Sequence, residues 1–184
     1  MVTTPRPKRA PRPLDAARLE ELALAYVARF ATSAAKLEGY LLRKLRERGW
    51  EGEGEAPVRA LVARFVASGY VDDLAYARAK SGSLLRRGYG QRRIGQALHA
   101  AGIDEDVREE VRAGEGAERR AALACAQKRG FGPFGRDLPD RALKEKQIAA
   151  LLRAGHRLDS ARELVNAANE AVAIEWAGQI DEDD

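Results

Sequence analysis

The sequence predicts an all-helical fold: three tandem three-helix units forming an elongated, curved body. Three observations carry this. Apolar residues recur at helical intervals of three and four along almost the whole chain. Ala, Leu, Arg and Glu are abundant while aromatic residues make up only 6%, a balance that favours helix over strand. The helix-stopping glycines Gly49, Gly102 and Gly155 stand 53 residues apart, and each follows an I/L-x-x-x-L pair: Leu41 with Leu45, Ile94 with Leu98, Ile148 with Leu152.

Residues 1–14 hold four prolines, four bases and no apolar period, and are expected to form a disordered basic arm. The first unit spans 15–71. Leu19, Leu22, Ala23 and Tyr26 stripe its first helix. Thr32 or Ser33 caps the second, and Gly49 ends it. A Glu-Gly stretch leads to Pro57, which suits the start of the third, striped by Val58, Leu61, Val62 and Phe65. The second unit spans 72–114. Asp72 or Asp73 caps a helix through Ala75, Tyr76 and Leu84, Gly88-Tyr89-Gly90 breaks it, and Ile94, Leu98 and Ala101 mark the next. Asp104 opens a short third helix with its acids at the favourable end. The third unit spans 115–174 and contains an insertion-like loop, Phe131–Asp140. Ser160 and Glu163 are placed as a capping box for the last of nine helices. Residues 175–184 read as an acidic tail.

Composition narrows function. The chain has 184 residues, of which 45% are hydrophobic and 33% charged, as expected of a soluble globular protein. With neither an apolar run long enough for a membrane span nor an apolar leader, the expected location is cytoplasmic. The lone Cys125 sits on an Ala-rich helix and suits a core position. His99 and His156 stand far apart without companion ligands, so neither metal nor other cofactor is expected. Gly88-Tyr89-Gly90 lacks the strand and the Lys-Ser/Thr pair of a phosphate loop. No nucleophile, base and orienting group assemble, which disfavours an enzyme.

The net charge of +4 is uneven. Arg78, Lys80, Arg86, Arg87, Arg92 and Arg93 form a stripe with no acid between them. This is expected either to meet an anionic partner or to be a solvated face neutralised by acids from elsewhere, such as Glu105, Asp106 or the C-terminal tail.

One segment is distinctive. Gly69-Tyr70-Val71-Asp72-Asp73, with Tyr76 and Ala77, followed by Arg87-Gly88-Tyr89-Gly90-Gln91-Arg92-Arg93-Ile94, Leu98 and Gly102-Ile103, resembles the signature of the RecX family of recombination regulators. The flanking units extend the resemblance from about Leu19 to Val172. The third unit departs from the family pattern, with Ala154-Gly155-His156 where the family often shows an Arg-Gly-Phe turn. The resemblance implies a monomeric, non-catalytic protein that binds the RecA recombinase filament on DNA. It would modulate, most often inhibit, ATPase, strand-exchange and coprotease activities. Some members of the family bind single- or double-stranded DNA directly. Two other readings compete. One is a helical DNA-binding module that reads DNA with Gln91–Ala101 through Arg92, Arg93 and Gln96. The other is a scaffold with no nucleic-acid partner.

Overall fold

The structure, a computed structural model, describes residues 12–179. Among these residues the fold is all-α, and the chain divides into two compact bodies at Asp72/Asp73.

The first body contains α1 (Ala16–Val27), α2 (Ala34–Arg48) and α3 (Val58–Ala67). Asp15 caps α1 by accepting from the Arg18 amide, and Ser33 caps α2 by accepting from the Lys36 amide. Pro57 lies one residue before α3, and Gly49 and Gly69 take the positive φ that ends α2 and turns the chain after α3. The core is formed by large side chains: Leu14, Leu19, Leu37, Leu41, Leu61 and Phe65. The chain therefore packs from Leu14 onward. That residue is fully buried, and its backbone bridges to Trp50, donating to the Gly49 carbonyl and accepting from Glu51. The boundary placed after residue 14 thus falls inside the packed structure, because a leucine followed by a capping Asp buries more readily than it frays. The rest of the expected arm, residues 1–11, lies outside the described residues.

The second body begins with α4 (Asp73–Arg86), α5 (Gln91–His99) and α6 (Glu105–Glu110). They close on Ala77, Leu84, Ile94, Leu98, Ala101 and Ile103. It continues with α7 (Glu115–Arg129), α8 (Arg141–Arg153), α9 (Leu158–Asn166) and α10 (Glu170–Gly178). Ile148, Leu151, Ala161 and Val165 meet Cys125 on one side of this bundle, while Leu164 and Ala173 meet Ala122 and Ala126 on the other.

Two expectations need correction in this part of the chain, and one loop gains definition. There are ten α-helices among the described residues, not nine. The additional helix, α10, is capped by Asn169, whose side chain accepts from the Val172 amide, and it takes up Glu175, expected in the tail. Residues 180–184 lie outside the described residues. The Phe131–Asp140 loop is packed at its first half: a 3₁₀ turn over Gly132–Phe134 is pinned where the Gly132 amide donates to the buried Gln147 side chain at 2.9 Å. Finally, α9 begins at Leu158, two residues before Ser160, so Ser160 and Glu163 lie within the helix and form no capping box. Asp159 accepts from the Ser160 amide instead.

A cationic groove beside a glycine seam

The segment Arg87–Arg93 joins α4 to α5, and its residues divide between two surfaces. Gly88, Gly90 and Arg92 face the third unit. Arg87, Tyr89 and Arg93 line an open groove.

The seam is backbone against backbone. The Gly90 amide donates to the Ala154 carbonyl at 2.9 Å, and the Arg92 amide donates to Gly155 at 3.2 Å. A Cβ added at Gly90 would stand 2.3 Å from the Gly155 carbonyl carbon, which is too close for any side chain. Gly155 itself has φ +99°, and a Cβ there would meet the Arg93 amide at 2.5 Å. The Arg92 guanidinium reaches across to the Leu152 carbonyl at 2.7 Å, adding to the bond that this carbonyl at the end of α8 accepts from the Gly155 amide. His156 is buried, and its Nε2 contacts the Gly88 carbonyl at 3.0 Å, which requires the tautomer with the proton on Nε2. Burial holds this imidazole below its usual pKa, an effect reinforced by Arg129 and opposed by the Gly88 hydrogen bond. Beneath Gly88 lies Cys125, whose thiol is pushed up by burial and is therefore a packing group.

The groove has a volume of about 340 Å³ and is lined by Lys80 and Leu84 of α4, by Arg87 and Tyr89, and by Arg93, Gln96 and Ala97 of α5. No acid lines it. The Arg87 guanidinium rests 5.3 Å from the centre of the Tyr89 ring. Lys80, Arg87 and Arg93 form no ion pair among the described residues.

The six-base stripe is therefore split. Lys80, Arg87 and Arg93 share the groove. Arg78 pairs with Glu110 at 2.7 Å, an acid supplied by α6. Arg92 is a seam residue, and Arg86 lies over Gly82 on α4. The other motif residues have structural places. Gly69 and Gly102 carry φ of +74° and +70°, Tyr70 stacks at an angle on Phe65, and Ile94 and Leu98 are fully buried. Asp72 directly precedes α4, and Asp73 lies in its first turn, at the positive end of the helix dipole. Sequence reasoning named Gln96, which the groove includes, but missed Tyr89 beside it, and it missed Gly155 and His156 as seam residues. The positive φ of Gly155 follows from its place as a stop glycine, but nothing nearby in sequence points to Gly90.

A second concavity, about 200 Å³ between α7, α9 and α10, carries Glu115, Glu118, Asp159 and Glu163 with Arg119 and Arg157. Its charges are largely satisfied internally: Arg119 pairs with Glu115 at 2.7 Å and covers the Trp176 ring. Among the described residues no cluster of His, Cys, Asp and Glu could hold a metal ion, and no helix is long and apolar enough to cross a membrane.

Helical units thus expose a cationic groove beside a seam of backbone contacts. Residues 72–111 match the family model described as RecX, second three-helix domain. A protein named regulatory protein RecX from Myxococcus xanthus is 36% identical over 169 residues, covering 87% of this chain and 90% of that protein. Its namesake from Thermus thermophilus is 35% identical over 140 residues, 76% of each chain. The crystal structure of RecX from Lactobacillus salivarius superposes with a TM-score of 0.65 at 17% identity, over 89% of this chain and 97% of that one, a likeness of fold. The chain belongs to the RecX family, whose members compared here are named as regulatory proteins and not as enzymes.

Proposed function

We propose that this protein regulates a RecA-type recombinase by binding its filament on DNA through the groove of the second unit, lowering ATP turnover and strand exchange. The observation that carries this reading is the groove itself. Three cations converge on one concavity without an acid, on the segment that the family model matches. Unpaired like charges held together repel one another and favour an anionic partner. Arginine, with its planar fork of donors, suits carboxylate and phosphate alike. Direct action on DNA is the competing reading, favoured by the same charges and by Gln96.

The seam decides which residues test it. Arg92 holds α8, so reversing its charge would disturb the fold as well as the surface. The informative variant is Arg87→Glu with Arg93→Glu, in protein shown by its melt to be folded. Recombinase ATPase and strand exchange, measured across salt concentrations, should lose most of their inhibition. Undiminished inhibition would remove the groove from the mechanism. Equal, salt-sensitive binding to bare DNA and to filament would favour the competing reading.

A further inference from the structure

The helices around the groove do not neutralise it. Glu110 takes Arg78, and no acid lines the concavity that holds Lys80, Arg87 and Arg93. The same compact body ends in a run of opposite sign. No base follows Arg162, and Asp181, Glu182, Asp183 and Asp184 stand in succession. These four lie outside the described residues, but the helix they follow is anchored. The Trp176 carbonyl, near the end of α10, accepts from the Arg119 guanidinium at 3.1 Å, and that guanidinium covers the Trp176 ring at 4.9 Å. From there α7 serves as a ruler. Cys125 lies six residues beyond Arg119, about 9 Å along the helix. A Cβ at Gly88 would stand 3.0 Å from the Cys125 amide nitrogen, and Arg87 is the adjoining residue. Residues 180–184 can span up to about 17 Å, which brings the Arg87 edge of the groove within their reach. Nearer cations already have acids of their own: Arg119 pairs with Glu115 at 2.7 Å, Arg112 with Glu109 at 3.3 Å and Arg157 with Asp159 at 3.2 Å. The concavity beside α10 also carries Glu115, Glu118, Asp159 and Glu163, which repel further negative charge.

We infer that Asp181–Asp184 occupy the groove as an internal competitor, their carboxylates meeting Lys80, Arg87 and Arg93 until an anionic partner displaces them. A short tether holds a segment at an effective concentration of roughly millimolar, so individually weak contacts suffice to fill the groove for most of the time. The apparent affinity for the partner then falls with the fraction of molecules left open. A groove open about a third to a tenth of the time binds roughly 3- to 10-fold more weakly. The competition rests on the groove being the partner's site, whereas the contact between tail and groove stands without it.

The contact is tested on the full chain alone with a carbodiimide, which joins a carboxylate directly to an amine. Lys80 is the amine of the groove, so mass spectrometry should find it joined to the 181–184 segment of the same chain, as a mixture of light and isotope-labelled protein would show. Lys44 and Glu47, 2.6 Å apart in the first body, give the internal standard. Raised salt and the Arg87→Glu, Arg93→Glu variant should both reduce the Lys80 product and leave the standard in place. A tail joined to Lys128 or Lys144 instead, joined only between chains, or not joined at all while the standard forms, would overturn the contact. The competition is tested by Asp181→Asn, Glu182→Gln, Asp183→Asn and Asp184→Asn together. Half-inhibition of recombinase ATPase should then need roughly 3- to 10-fold less protein, and that gain should vanish in the Arg87→Glu, Arg93→Glu background. A gain that survives in that background would overturn the competition as an effect of net charge. If the groove variant inhibits as well as wild type while Lys80 still joins the tail, the filament reading fails and the contact stands.

Discussion

The first body and the joint between the second and third units are held together by opposite means. In the first body, leucines and a phenylalanine fill the space between three helices, and Leu14, Leu19, Leu37 and Leu41 are wholly removed from water. At the joint the closest contacts are backbone on backbone, with Cys125 and His156 buried against Gly88. Gly90 and Gly155 let two backbones touch, and carbonyls at Ala154, Gly155, Leu152 and Gly88 take up donors from across the seam. The first arrangement is tolerant, because a neighbouring side chain can relax toward a lost methyl group. The second depends on close geometry, because backbone cannot step aside.

That contrast can be broken from either end. The largest loss is expected for Leu41→Ala in the first body, about 2–5 kcal/mol depending on how far the site collapses. It should lower the melt of that body while amide protons at Gly90 and Arg92 keep their protection from exchange. Gly90→Ala should cost about 3 kcal/mol and do the reverse, since its methyl group would meet the Gly155 and His156 backbone. Exchange at Gly90 should then rise while the first body stays protected. If both variants destabilised all amides equally, the two regions would not be distinct in the way their packing indicates.

Smaller effects sharpen the picture. His156→Ala leaves the Gly88 carbonyl without its donor and should cost roughly 1–3 kcal/mol. The same histidine gives the seam a pH dependence. Its folded pKa is depressed, so the folded state binds fewer protons than the unfolded chain. The stability it contributes is complete above the usual value of 6.5 and declines as pH falls from there toward the folded pKa. Melting temperature should therefore drop on acidification below 6.5 more in wild type than in His156→Gln, and equal slopes would exclude His156 as the cause. Arg92→Ala, at an exposed site, should cost about 1 kcal/mol, seen as faster exchange at the end of α8.

Much of this was legible in the sequence. Helices with a polar face announced themselves by period, and Ser33 served as the cap its position implied. The glycines at 49, 102 and 155 all carry positive φ, as helix stops require. The tenth helix was hidden by its own composition: Glu-Ala-Val-Ala-Ile-Glu-Trp-Ala-Gly has apolar residues on every side and so shows no stripe. The basic run Arg78–Arg93 was visible as charge, but its division was not. Which cations lose their freedom depends on Glu110 and Leu152, partners 32 and 60 residues away in sequence. His156 stood out only as a departure from the family pattern, and its partner Gly88 lies 68 residues earlier.

The glycine seam also bears on how the chain can be divided. Tandem units invite dissection, and a boundary at residue 114 looks natural from the helix pattern. A fragment ending there would leave the Gly88 carbonyl and the Gly90 amide facing the void once filled by Gly155 and His156. It would also remove the Gly155 carbonyl that accepts from the Arg92 amide, one residue before the groove cation Arg93. The second unit thus leans on the third beside its groove, and a fragment meant to keep that groove intact should run from Asp73 through at least His156.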